Sequence, residues 1–115
     1  MNLLLKSSSI QRPSSIKITG SKSETNRLLL LQALYPNLVL DNTSNSDDSE
    51  VMLKALQNSQ LPTPNSQLID VHHAGTAMRF LSAYFSIQEE KEVVLTGSSR
   101  MKERPIKILV DALNQ

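Results

Sequence analysis

Four short runs of apolar residues, each followed by a turn and a longer segment of helical character, constrain this chain most. They are Ile16 with Ile18, Leu38 to Leu40, Leu68 with Ile69 and Val71, and Val93 to Leu95. Alternation of β-type runs with helical segments is the signature of an α/β domain. Helices are expected from about Glu24 to Tyr35 with Ser23 as N-cap, and from about Ala74 to Phe85. Another is expected after Asp47 and Glu50, whose spacing resembles a capping box. The stretch Ser59–Ser66 contains two prolines and is expected to be a loop. The last helix is expected to open at Pro105, with Ile106, Leu109, Val110 and Leu113 at i, i+3, i+4 and i+7.

One repeat runs through this pattern. Ile18-Thr19-Gly20-Ser21 is echoed by Leu95-Thr96-Gly97-Ser98, and Arg27 by Arg104 at the same offset. Both copies fall at a strand–turn–helix junction, as two copies of one supersecondary unit would. The second copy has no partner before Gln115, so the chain is expected to be a truncated piece of something longer.

Composition narrows the function classes. The 115 residues suffice for one domain, and aromatics at 3% leave an aliphatic core. A net charge of +1 gives no basis for non-specific nucleic-acid binding, so anion recognition must rest on local clusters. There is no cysteine, hence no disulfide, thiol nucleophile or thiolate metal site. The longest apolar run, Leu28 to Leu31, is far too short to span a bilayer. A cytoplasmic protein without nucleic-acid or membrane partners is expected.

Chemistry concentrates at three junctions. The first, Gly20 to Arg27, puts Lys22 at a helix N-terminus, where the dipole disfavours a cation by about 0.3–1 kcal/mol. An anion between Lys22 and the helix would relieve this. Ser23 and Arg27 share a helical face and add a hydroxyl and a guanidinium fork. The spacing leaves open either an anion cradle or a solvated basic turn with a serine cap. A nucleotide P-loop does not fit, because the Gly-x-x-x-x-Gly-Lys frame is absent.

The second junction, His72 to Arg79, has Gly75 for close backbone approach, Thr76 as a candidate cap and Arg79 three residues on. By residue chemistry alone, an ordinary helix start is the favoured reading. Adjacent histidines on a strand point to opposite faces, and no further ligand completes a metal site. At the third, Gly97 to Pro105, three cations crowd a helix start; an anion or Glu103 would offset them. Asp47, Asp48 and Glu50 are explained as helix-start residues.

Three segments carry a resemblance: Ser21 to Arg27 (SKSETNR), Ala74 to Arg79 (AGTAMR) and Arg100 to Pro105 (RMKERP). In this order and spacing they resemble signature segments of the 3-phosphoshikimate 1-carboxyvinyltransferases, the EPSP synthase family. Asp47-Asp48 also resembles a family segment. The related transferases acting on UDP-N-acetylglucosamine are less similar, since an Asn usually stands where this chain has Ser23.

The resemblance implies two lobes, each of three βαβαββ units, with the active site between them. Residues 1–20 would then be a strand segment of the other lobe, 21–96 the first βαβαββ unit, and 97–115 the start of a second, truncated unit. It implies that Lys22 touches both substrates, that Ser23 and Arg27 hold shikimate 3-phosphate, and that Gly75 and Arg100 line the phosphoenolpyruvate site, with Thr76 and Arg79 supporting. In the family reaction the methylene carbon of phosphoenolpyruvate is protonated, the 5-hydroxyl of shikimate 3-phosphate attacks the neighbouring carbon, and phosphate leaves. No metal or organic cofactor is implied, and the acid/base carboxylates lie elsewhere in family members. The remainder of the enzyme's own chain is therefore an expected partner, and these 115 residues alone are expected to be inactive. A stand-alone anion-binding module of the same fold is the alternative. The chain departs from the family pattern at Thr19, where proline is common, at His73, where asparagine is common, and at Ser98-Ser99, where an acidic residue and proline are usual.

Overall fold

The computed structural model describes residues 1–9, 13–59 and 67–115. In chain order these form α1 (Lys22–Leu34), α2 (Asp47–Asn58), β1 (Gln67–Asp70), α3 (Gly75–Ser86), β2 (Val93–Thr96), a short turn α4 (Ser99–Lys102) and α5 (Lys107–Leu113). The expected loop falls outside the described residues from 60 to 66, as do residues 10–12 of the expected first segment.

The two strands pair in parallel, with Gln67 opposite Val93 and Asp70 opposite Thr96. Parallel neighbours need a crossover, and α3 supplies it. Val71 continues the pairing one residue beyond β1 through its N–H to the Thr96 carbonyl, 2.9 Å. Ile69 and Val71 face inward and are buried, while Leu68 before them is 69% exposed and Asp70 between them is exposed. The period-two alternation thus leaves one sheet face covered and one open.

The core is mainly aliphatic but, against the expectation from composition, takes in Tyr84 and Phe85. Met52, Ala55 and Leu56 from α2 meet Leu29 of α1 and Ala77, Leu81, Tyr84 and Phe85 of α3. Tyr84 and Phe85 make an edge contact at 5.2 Å. Met101 of α4 joins the same cluster.

Several local expectations are corrected. Residues 16–18 and 38–40 form no strand: Ile16, Ile18 and Val39 are 80%, 74% and 92% exposed, and no neighbouring chain supplies ladder hydrogen bonds. Among the described residues there is one two-stranded sheet, β1 with β2. The α1 cap is Ser21 rather than Ser23; its Oγ accepts the Glu24 N–H at 3.4 Å, which draws Lys22 and Ser23 into the helix. Ser46 caps α2, its Oγ accepting the Ser49 N–H at 3.4 Å, so Asp47 and Glu50 form no capping box. Pro105 does not open the last helix: the chain makes α4 under a Ser98 cap and restarts at Lys107. His72 and His73 are in a turn, not on a strand; His72 has φ of 49°, and its N–H is held by Asp70 Oδ1 at 2.7 Å.

Leu81 is fully buried at the centre of α3 and Ile108 is 86% exposed on α5. Leu81→Ala is expected to lower unfolding stability by about 2–5 kcal/mol through lost transfer energy and a cavity. Ile108→Ala should change it by no more than about 0.5 kcal/mol. Urea titrations of both variants check the contrast.

Candidate functional site

The parallel strands end side by side, which brings the second and third junctions together. The carbonyl of His72 accepts the N–H of Ser98 at 2.9 Å. Gly97 lies against the same carbonyl: a Cβ there would sit 2.7 Å from the His72 oxygen and 2.8 Å from Met101 Cγ. Only a residue without a side chain lets the two turns approach this closely.

Gly75 starts α3 directly above this contact. Its backbone is faced by two guanidinium groups, since a Cβ at Gly75 would lie 2.4 Å from Arg104 Nη1 and 3.4 Å from Arg79 Nη1. Arg79 donates from Nη1 to the Gly75 carbonyl and from Nη2 to the Pro105 carbonyl, both at 3.1 Å. It therefore ties the α3 start to the loop before α5. An adjacent cleft of about 330 Å³ is lined by Arg79, Lys102 and Arg104 with Met78, Leu95 and Met101, and no carboxylate lines it. Thr76 is inside the first turn of α3, so it does not cap the helix; Ala74 occupies that position without a side-chain bond.

The first junction is organised separately. Gly20 packs on the carbonyl of Asn42, which a Cβ would approach to 2.0 Å. Lys22 Nζ stands 3.6 Å from Asp48 Oδ2. The anion that relieves a cation at the α1 N-terminus is, in this structure, a carboxylate from the first turn of α2. That carboxylate also sits where the α2 dipole favours it. Ser23 and Arg27 do meet, as their spacing requires: Arg27 Nη1 donates to the Ser23 carbonyl at 2.8 Å and to its Oγ. The Arg27 guanidinium carbon also lies 5.7 Å from the Phe80 ring centroid, a cation–π contact linking α1 to α3.

Of the residues expected at the site, the structure pairs Ser23 with Arg27 and Gly75 with Arg79. Lys22 is paired with Asp48, and no contact joins it to Gly75 among the described residues. Arg100 is exposed on α4 and makes no hydrogen bond or ion pair among them. Sequence reasoning assigned no site role to Asp48 or Arg104. The signal for Arg104 was its echo of Arg27 in the repeat; the signal for Asp48 was a cation lacking a local counter-ion. Among the described residues no group of three His, Asp or Glu is placed to hold a metal, and no helix is long and apolar enough to cross a membrane.

The two glycines differ in what a methyl would meet. Gly97→Ala is expected to cost about 1–3 kcal/mol, because the His72 carbonyl and buried Met101 cannot both give way. Gly75→Ala should change stability by less than about 1 kcal/mol, since Arg104 meets the methyl with the end of a flexible side chain that can swing aside. Thermal unfolding of the two variants provides the comparison.

Comparison with known proteins converges on one family. The profile of EPSP synthase (3-phosphoshikimate 1-carboxyvinyltransferase) matches residues 37–115. A protein of Bacteroides fragilis (strain YCH46) named 3-phosphoshikimate 1-carboxyvinyltransferase is 45% identical over 111 residues, covering 92% of this chain and 25% of that protein. One of the same name from Hamiltonella defensa is 41% identical over 122 residues, covering 88% and 28%. The pentafunctional AROM polypeptide of Mycosarcoma maydis is 37% identical over 134 residues, 90% of this chain and 8% of that one. No solved structure matches significantly. The chain spans about a quarter of the length of the first two relatives. With the profile match running over well more than half of its residues, the chain belongs to the EPSP synthase family.

Proposed function

We propose that these residues form part of the substrate site of an enzyme transferring the carboxyvinyl group of phosphoenolpyruvate to the 5-hydroxyl of shikimate 3-phosphate, with release of phosphate. The observation that carries this reading is the pair of guanidinium groups facing the Gly75 backbone beside a cation-lined cleft, in a chain of this family. Two guanidiniums face its backbone and a third cation lines the adjoining cleft, without a carboxylate. Both substrates are phosphate monoesters, and phosphate is the leaving group. Fixed cations hold such groups and stabilise the charge that develops as the ester bond breaks.

In this reading Lys22 contacts both substrates, Ser23 and Arg27 hold shikimate 3-phosphate, and Gly75 and Arg100 line the phosphoenolpyruvate site, with Thr76 and Arg79 supporting. Arg79 acts by tying the Gly75 turn to the loop that carries Arg104 and Pro105. The arrangement belongs to a βαβαββ unit over residues 21–96, with 97–115 opening the next and 1–20 serving the opposite lobe. The reaction would take place in the cytoplasm, and the rest of the enzyme would complete the cleft and supply the acid/base carboxylates. The 115 residues alone would bind without turnover.

Each charge-assisted hydrogen bond contributes about 1.5–3 kcal/mol. Association costs at least about 4 kcal/mol. Two or three such contacts in an open site leave an affinity no better than about millimolar. Chemical-shift titration with shikimate 3-phosphate is the test. Shifts confined to 20–27 and 73–79, and lost in Lys22→Ala and in Arg27→Ala, are expected. Scattered shifts that survive both substitutions would instead mark the junctions as solvated basic turns.

A further inference from the structure

Three ties join the first turns of α1 and α2. Ser49 Oγ donates to Asn26 Oδ1 at 2.9 Å, with Asn26 completely buried. The N–H of Ser44, just ahead of α2, donates to Thr25 Oγ1 at 2.9 Å. The third is the Lys22–Asp48 ion pair at 3.6 Å. The first two fix the backbone of one helix start against the other. The third then selects one arrangement for a long side chain that would otherwise sample many.

The two ends of that pair are not equivalent. The Asp48 side chain is only 16% exposed and sits in the α2 first turn, where the helix dipole holds an anion in place. The Lys22 side chain is 50% exposed and sits where the α1 dipole disfavours it. Asp48 is the fixed partner and Lys22 the movable one. We infer that Asp48 is a positioning residue: it holds the Lys22 ammonium beside the α1 N-terminus, so that a phosphorylated substrate meets an ordered cation. This inference rests on the proposed substrate role of Lys22.

A carboxylate near an anion site also has an opposing effect, because it repels the ligand. The two effects differ in their salt dependence. Charge repulsion through solvent is screened over about 8 Å at 0.15 M salt. The restriction of Lys22 to one arrangement depends on short-range contact and survives such screening in part. The sign of the change in Kd at 0.15 M salt decides which effect is the larger.

The 115-residue chain titrated with shikimate 3-phosphate at 0.15 M salt, followed by chemical shift, tests this. Asp48→Asn is expected to raise Kd about three- to five-fold, the upper range for one ion pair of this exposure. Asp48→Glu should recover most of the loss. In the ligand-free chain, Asp48→Asn should lower the order parameter of the Lys22 ε-methylene. An unchanged or tighter Kd in Asp48→Asn, no recovery in Asp48→Glu, or an unchanged Lys22 order parameter would overturn the inference. If Lys22→Ala alone leaves binding intact, the substrate reading of Lys22 fails and takes this role with it. A damaging Lys22→Ala beside a harmless Asp48→Asn sinks the positioning role only.

Discussion

The parallel pairing of β1 with β2 is the constraint on which the candidate site depends. Two strands that run the same way must end at the same edge, and their following turns then have to share space. Here they share a single carbonyl, that of His72, which receives the Ser98 N–H and lies against Gly97. The crossover helix α3 begins from one of these turns, and its start is faced by Arg104 from beyond the other. Residues distant in sequence thus reach one edge of a small sheet through backbone geometry alone. The side chains then add charge to a place the fold has already made accessible. Open α/β sheets bind ligands outside the carboxyl ends of their strands for this reason.

Local features of the sequence carried much of this. The three longer helices lie close to their expected spans, and both observed strands were visible as runs of branched residues. What local patterns could not reveal was partnership. Ile16 and Ile18 alternate as a strand should, yet a strand exists only beside another, and none stands next to them here. Leu38 to Leu40 fail for the same reason. The caps slipped because serines recur: Ser21 and Ser23 flank one lysine, and either hydroxyl suits a helix start until the backbone commits.

The site shows the same division. That Ser23 and Arg27 would meet was legible, because a helix brings positions four apart onto one face. That Lys22 needed an anion was legible from the helix dipole. Its supply by Asp48 was not, because that carboxylate already had a sufficient local explanation at the start of its own helix. One charge serves two helices, stabilising the start of α2 while compensating a cation on α1. Arg104 was hidden for a different reason: its proximity to Gly75 follows from the β1–β2 register, which no local pattern contains.

The buried polar contact between α1 and α2 bears on uniqueness rather than strength. Leu28, Leu29, Leu30 and Leu31 follow one another, so they wrap around the axis of α1 instead of forming a stripe. Greasy contact alone would tolerate several rotations of such a helix about its own axis. Only Leu29 of the four is buried, and Leu31 is 44% exposed. The rotational phase is selected by Asn26, whose amide oxygen must find Ser49, and by Thr25, whose hydroxyl must find Ser44. Another phase would break both bonds, a loss that exchanging one leucine for another does not offset. The phase that gives the Asn26 amide oxygen its partner is also the one that brings Arg27 over Phe80. A pair of uncharged side chains therefore sets the direction in which the helix presents its cation, a kind of indexing that an unbroken leucine run cannot provide.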